Sequence, residues 1–364
     1  MKVKEVIDAL ERFAPLPLQD GFDNAGLQVG LTEATVTGAL LCLDVTEEVI
    51  DEAVQRRCNV IVSHHPLLFS KLKRVTGDNY VERCVMMAIQ KGIVVYSAHT
   101  NMDNAMYGVN FKMAEKLGLR DVEILEPKAD NLVKLVTYVP VSHAETVRKA
   151  LFGAGCGSIG NYDNCSYNIE GVGTFRGGEG THPFVGEVGK EHEEKEVRIE
   201  TIIPAHKEGT AVKAMLEVHP YEEPAYDLFP VKNEWSQAGA GAIGVLDQPE
   251  EILSFLKRLK SVFGVSCVRY NNYVGKTIQS VALCGGSGAF LIPLAIARHA
   301  DVFVTGEIKY HEFFGHENEI LLAEIGHYES EQYTKEIFYS IIKDLCPEIP
   351  VYMCSVVTNP IKYL

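Results

Sequence analysis

Three runs that are apolar on successive residues, Gly38–Asp44, Val60–Val62 and Ile93–Tyr96, are separated by segments of helical periodicity. This alternation constrains the fold more than any other feature. A strand with one face in water alternates apolar and polar residues, so an uninterrupted apolar run reads as a strand covered on both faces, as in an α/β layer. The segments between the runs carry helix signals: Thr46 stands as N-cap for a helix reaching Arg57, and a second helix covers Tyr80 to Lys91. After about Trp235 the pattern returns. A strand at Val245 is followed by a helix over Glu250–Phe263, a strand over Ser280–Cys284, a helix over Phe290–Ala300 and a strand over Val302–Thr305.

Residues 132–231 read differently. Leu132–Val139 is a strand, Ala144–Phe152 a helix, Ser166–Phe175 and Glu196–Ile203 strands, Lys207–Val218 a helix and Ala225–Val231 a last strand. The order β-α-β-β-α-β is that of a ferredoxin-like unit able to close its own core. The expected fold class is therefore α/β: a layered α/β outer domain built from both chain ends, residues 1–131 and 232–364, interrupted by a ferredoxin-like α+β insert at residues 132–231. A chain of 364 residues is long enough for two such cores. The stretch Gly177–Lys195, with His182 and His192, reads as a solvated excursion between strands.

The formal charge of -15 argues against a nucleic-acid surface, which relies on clustered Lys and Arg. No apolar stretch approaches the ~20 residues that span a bilayer, and the start of the chain lacks the apolar core of a signal peptide. A cytoplasmic location without membrane association is the expectation. Nine cysteines without a CxxC pair read as reduced thiols, with Cys42, Cys58, Cys84 and Cys284 in apolar surroundings as core residues.

His64 and His65 directly follow the second apolar run. Candidate co-ligands follow two others: Asp103, with His99 nearby, after Ile93–Tyr96, and His327 with Glu331 after Ile320–Ile325. In open α/β sheets, ligands bind beyond the carboxyl ends of the strands, so these clusters can converge although they are far apart in sequence. Neighbours in an extended chain point in opposite directions, so His64 and His65 suit two ions better than one. His327 and Glu331, at i and i+4, share one face of a helix that continues through Tyr333, Ile337 and Ile341. Three imidazoles and two carboxylates are too few for two closed structural zinc sites, but they suit a catalytic pair with open positions and a bridging carboxylate, either Glu331 or Asp103. Ligation by N and O without thiolate fits zinc, iron, manganese or cobalt and does not select among them; the expected cofactors are two divalent ions per chain, zinc or iron before manganese or cobalt. A lone histidine at a strand end is more often hydrogen-bonded core than ligand; five convergent residues reverse that preference. His99 reads equally as ligand, as support to Asp103 or as loop packing.

Four segments carry a family resemblance: Asp23-Asn24-Ala25-Gly26-Leu27-Gln28-Val29-Gly30, Ser63-His64-His65-Pro66, His99-Thr100-Asn101-Met102-Asp103 and Gly326-His327-Tyr328-Glu329-Ser330-Glu331. Together they resemble the GTP cyclohydrolase I type 2 homolog family, also called NGG-interacting-factor-like proteins. The resemblance implies a dinuclear metal centre with His64, His65, Asp103, His327 and Glu331 as ligands. It also implies a toroidal homohexamer with the metal sites facing an internal cavity. Longer members carry an insert similar to the PII and CutA folds, which His219-Pro220-Tyr221-Glu222-Glu223-Pro224 resembles closely. The implied chemistry is hydrolytic opening of guanine at C8 with release of formate, although no guanine-reading motif is present.

Other features were weighed beside these. Cys284-Gly285-Gly286-Ser287-Gly288, between a strand and a helix, offers backbone N–H groups to a phosphate, or is simply a tight turn. Gly239–Gly244 matches GxGxxG without the preceding strand that dinucleotide binding requires. Glu307 and His311 follow a strand at the same sheet end as the ligands and are candidates for a catalytic acid or base. Asp23 and Asn24 read as turn or capping residues, with lining of the cavity as the alternative. Two functions stay open: a metal-dependent hydrolase acting on a nucleotide or related phosphorylated small molecule, and a non-enzymatic metal-binding or regulatory protein with a ligand-sensing insert.

Overall fold

The structure, a computed structural model, describes residues 1–364 as a mixed α/β protein with several sheets. The local signals place its elements. The Thr46 side chain accepts the N–H of Val49 at the head of helix Glu47–Gln55. Helix Tyr80–Lys91 is capped by Asn79 and ends at Gly92 in the left-handed conformation.

The chain divides into two compact units, residues 1–126 with 238–364, and residues 127–237. The division lies a few residues outside 131/132 and 231/232 and falls within the strands Arg120–Lys128 and Trp235–Glu251.

In chain order the strands are β1 (Gly26–Val29), β2 (Ala39–Cys42), β3 (Val60–Ser63), β4 (Val94–Ser97) and β5 (Arg120–Lys128). Then come β6 (Leu132–Pro140), β7 (Tyr167–Arg176), β8 (Glu191–Pro204), β9 (Tyr226–Val231) and β10 (Trp235–Glu251). The last are β11 (Arg269–Tyr270), β12 (Thr277–Cys284), β13 (Val302–Thr305), β14 (Leu321–Glu324) and β15 (Val351–Met353).

The larger unit holds two sheets rather than one layer. The first has the order β1-β4-β3-β2-β15, with β1 antiparallel to β4 and the other neighbours parallel. The second has the order β11-β14-β13-β12-β10-β5, with β12, β13 and β14 parallel and with β10 and β11 antiparallel to their neighbours β12 and β14. Each half of the chain thus lends an edge strand to the sheet of the other, β15 to the first and β5 to the second. Strands β2, β3, β4, β13 and β14 are buried on nearly every residue, as the uninterrupted apolar runs require. Ile50, Ile61 and Val95 pack one core, and Phe255, Phe263, Leu283 and Val304 another; each such side chain contributes roughly 1.5–3 kcal/mol by leaving water.

Several element boundaries differ from the sequence reading. The helix expected to run unbroken from His327 is interrupted at Gln332–Tyr333, giving His327–Glu331 and Thr334–Leu345. Glu250 and Glu251 belong to β10, paired with Ile278 and Thr277, so the following helix begins at Ile252. The helix expected over Phe290–Ala300 is a 3-10 turn, Ala289–Leu291, followed by Ile292–Ala297. Strand β10 also runs through Gly239–Gly244, so no helix starts there to receive a dinucleotide.

In the smaller unit the sheet order is β7-β8-β6-β9, antiparallel throughout. Val133, Leu135 and Val139 of β6 and Val197, Ile199 and Ile203 of β8 pack on Val147 and Leu151 of helix Ala144–Gly153 and Ala211 and Met215 of helix Glu208–Val218. His182 is exposed in the connection after β7. His192 is not in a loop: it lies in β8, with Nε2 at 3.0 Å from Glu194 and its ring 5.4 Å from that of Phe175.

Candidate metal centre

Within the larger unit, the segments following six parallel strands converge. Asp44 follows β2, His64 and His65 follow β3, His99 follows β4, Gly285 and Gly286 follow β12, Glu307 follows β13, and His327 follows β14. Strand register explains the pairings. Cys42 is level with Ser63, so Asp44 arrives beside His65, with Oδ1 at 2.7 Å from Nδ1. Ser63 is level with Ser97, so His64 arrives beside Ala98, whose carbonyl oxygen is 2.9 Å from Nδ1. Thr305 is level with Glu324, so Glu307 reaches His327, with Oε1 at 2.9 Å from Nδ1. His99 completes the set through Asp23, 2.7 Å from its Nδ1.

All four imidazoles therefore place Nδ1 against an oxygen. A carbonyl or carboxylate can only accept, so each Nδ1 carries the proton and each Nε2 is left to a further partner. That is the outer-shell arrangement of metal-ligating histidine. The Nε2 atoms of three rings gather on Glu331: His65 at 2.9 Å from Oε2, His327 at 3.3 Å from Oε2 and His64 at 3.6 Å from Oε1. His64 and His65 thus address different oxygens of one carboxylate. Asp103, on the short helix Thr100–Asn104, brings Oδ1 to 3.6 Å from His64 Nε2.

Three sets of donor atoms lie within 4.8 Å of one another: His64, His65 and His99; His65, His327 and Glu331; and His64, Asp103 and Glu331. A cavity of about 440 Å³ opens on them, lined also by Phe22, Phe69 and Phe290. Gly286, with φ +59°, lies against the Glu331 carboxylate; a Cβ there would overlap Oε1.

The electrostatics follow from burial and crowding. Burial raises the Glu331 carboxyl, but contacts with His64, His327 and His65 outweigh it and hold the group well below its ordinary value. Burial, then repulsion from Glu331, pushes Asp103 well above its own. Burial lowers His64. For His65 and His327 burial is outweighed by the carboxylates they touch, raising them to about 10 and about 9. Asp23 is lowered to about 2, because hydrogen bonds from His99 and Thr100 outweigh its burial.

Two buried atoms, His64 Nε2 and Asp103 Oδ1, have no hydrogen-bond partner, although such groups are almost always satisfied. A divalent cation held here would accept both of these lone pairs and offset the charge of the two carboxylates. Nitrogen and oxygen donors of this kind fit such an ion.

The other sequence candidates fall elsewhere. Glu307, expected as an acid or base, is exposed and touches the site through His327, with Oε1 at 2.9 Å from Nδ1, while Oε2 accepts the Ser287 hydroxyl at 2.5 Å. His311 is exposed on the turn Tyr310–Phe313, its ring 5.2 Å from that of Tyr310, and is not among the residues lining the cavity. In Cys284–Gly288, offered as a phosphate loop, three N–H groups are already engaged: Gly285 donates to Asn110, Gly286 to Ser330 and Gly288 to Thr305. Asp23, read as a turn residue, also accepts the N–H and hydroxyl of Thr100 at the start of the Asp103 helix. Asn24 is exposed and donates to the Leu68 carbonyl. Asp44 was missed altogether; its one sequence signal is a carboxylate placed just after a buried strand.

The profile of the Duf34/NIF3 (NGG1p interacting factor 3) family matches residues 1–360. A Halalkalibacterium halodurans protein named GTP cyclohydrolase 1 type 2 homolog is 38% identical over 366 residues, covering 99% of this chain and 98% of its own. A Bacillus subtilis protein of the same name is 36% identical over 369 residues, covering 99% and 98%. The solved structure of a Bacillus cereus protein related to NIF3 superposes with a TM-score of 0.87 at 37% identity, covering 100% of this chain and 99% of that one. This chain belongs to the Duf34/NIF3 family.

Proposed function

We propose that the protein binds two divalent metal ions, zinc or iron, through His64, His65, Asp103, His327 and Glu331, and acts as a hydrolase on a nucleotide or related phosphorylated small molecule. The observation that carries this reading is the shared orientation of the imidazoles, each Nδ1 anchored and three Nε2 atoms turned to Glu331, beside unpartnered His64 Nε2 and Asp103 Oδ1. When bound, such an ion pair lowers the pKa of water and polarises the bond to be cleaved. The chain's own part is to orient. Asp44 and Glu307 fix the planes of His65 and His327, and Asp23 fixes His99. Phe22, Phe69 and Phe290 narrow the access of water to the cavity.

With three N–H groups of the glycine loop engaged, the candidate cations are Lys71, Lys73 and Arg74. They are exposed and line an 830 Å³ cavity that shares Pro66 and Phe69 with the metal cleft, and they are the groups we assign to a substrate phosphate. By its relatives' name the reaction class would be that of GTP cyclohydrolase, here a proposal only. The family resemblance extends it to a cytoplasmic homohexamer whose smaller unit is a ferredoxin-like module of PII or CutA type; no helix is long and apolar enough to cross a membrane.

The test is metal analysis of protein purified without chelator, followed by a screen of nucleotides and phosphorylated metabolites at matched metal loading. About two metals per chain, lost together with turnover in Glu331→Ala, is the expected result. Turnover that persists undiminished in that variant overturns the hydrolase. A second reading, a regulatory metal protein whose insert senses a ligand, draws support from a separate cavity in the smaller unit.

A further inference from the structure

That cavity, about 560 Å³, lies wholly within residues 127–237. Its floor is the face of the sheet that turns away from the helices: Tyr138 of β6 and Glu196 and Arg198 of β8 occupy positions alternate to the core residues Val139, Val197 and Ile199. Phe175, Phe184 and Tyr221 form its walls, with the rings of Phe175 and Phe184 5.9 and 6.5 Å from that of Tyr221.

Glu196 is the unusual group. It is only 8% exposed, yet its one hydrogen bond is from the Tyr221 hydroxyl to Oε1, 2.8 Å. Its cross-strand neighbours are Gly171 on one side and Pro140 on the other, which bring no donor side chain. Gly173 leaves the space that the carboxylate fills; a Cβ there would overlap Oε2. Arg198, two residues along the same face, does not neutralise it: its guanidinium pairs with Glu200 at 2.9 Å, while its buried Nε has no partner. Burying a carboxylate without a cation is unfavourable unless a ligand supplies the missing charge. Aromatic walls favour an ammonium or guanidinium there through the negative faces of their rings. The unused Nε–H at Arg198 asks for an acceptor. Same-face neighbours on a strand are about 6.6 Å apart, a separation that a small amino acid or a betaine spans.

We propose that this cavity binds a small zwitterion, an amino acid or betaine, with its cationic end at Glu196 between Phe175 and Tyr221 and its carboxylate at Arg198. The site is independent of the metal centre and deepens the ligand-sensing reading of the insert. Arg176, Glu222 and Glu223 also line the cavity, at its rim; Glu222 already accepts the backbone N–H of His182.

The test is titration calorimetry of the full-length, metal-loaded protein with the twenty amino acids and glycine betaine, with choline and acetate as single-charge controls. Saturable binding of at least one zwitterion at one site per chain, weakened tenfold or more in both Glu196→Gln and Arg198→Met, is expected. Metal content and melting temperature should stay at wild-type values, which separates loss of the pocket from loss of the fold and from failure of the metal reading. Phe175→Leu, which leaves both charges in place, should weaken binding less. No saturable binding by any member of the panel overturns the proposal, as does choline binding as tightly as betaine. A change of oligomeric state in Glu196→Gln without zwitterion binding also overturns it, assigning the pocket to a cationic side chain of a second copy.

Discussion

His65 and Glu331 stand 266 positions apart in the chain and meet at 2.9 Å, Nε2 to Oε2. His65 follows β3, the central strand of the five-stranded sheet, and Glu331 ends the short helix after β14 of the six-stranded sheet. The candidate metal centre is therefore a joint between two sheets. Glu331, like His64 and His65, belongs to two of its three donor sets.

The supporting carboxylates should matter nearly as much as the ligands. Asp44→Asn and Glu307→Gln keep the size of each side chain but weaken the acceptor of an imidazole N–H. Each is expected to lower metal affinity about 10- to 100-fold, measured by competition with a chromophoric chelator. Affinity unchanged in both variants would remove the orienting role assigned here.

Metal uptake should release protons. In the metal-free chain His65 and His327 titrate at about 10 and about 9, so both rings are protonated at neutral pH. A metal requires them neutral. The sign is then fixed: apparent affinity rises with pH, by roughly tenfold per unit for each proton displaced, and levels off as the pH passes these values. Calorimetry in two buffers of different ionisation enthalpy counts the protons, and at least two per chain are expected, the raised Asp103 carboxyl adding to those of the two rings.

Away from the centre, Glu52 joins helix Glu47–Gln55 to the chain end. Its carboxylate accepts the N–H groups of Ser355 and Val356, the Cys354 thiol and the Arg56 guanidinium. Burial would raise it, but these bonds win and lower it to about 2. A depressed carboxyl contributes stability above its unfolded value, here 4.5, and loses that contribution as the pH falls toward 2. Glu52→Gln should cost about 3 kcal/mol at neutral pH and flatten the acid limb between pH 5 and 2, as read by urea unfolding across that range.

The cationic loop offers a separate test of the substrate class. Replacing Lys71, Lys73 and Arg74 by Ala should weaken binding of inorganic tripolyphosphate about tenfold or more at low salt and flatten its salt dependence, with metal content unchanged. Equal binding by the variant and the parent would leave the phosphate reading without its cations.

The sequence by itself determined the parts. Uninterrupted apolar runs specify doubly covered strands because a strand with a wet face cannot be apolar on every residue, and β2, β3, β4 and β13 follow from that rule. His64, His65, Asp103, His327 and Glu331 were legible because each directly or closely follows such a strand. Tertiary structure decided how the parts combine. Nothing local to β15 says that it pairs with β2, or to β5 that it joins the second sheet, because pairing depends on edges presented by distant segments. For the same reason Asp44, Asp23 and Glu307 acquire their roles only through register: parallel strands level at Cys42 and Ser63, or at Thr305 and Glu324, bring a carboxylate to a ring that the linear chain leaves unconnected. Register also gave Glu307 its partners: it is exposed, yet Oε1 meets His327 and Oε2 accepts from Ser287, contacts that the linear chain does not announce.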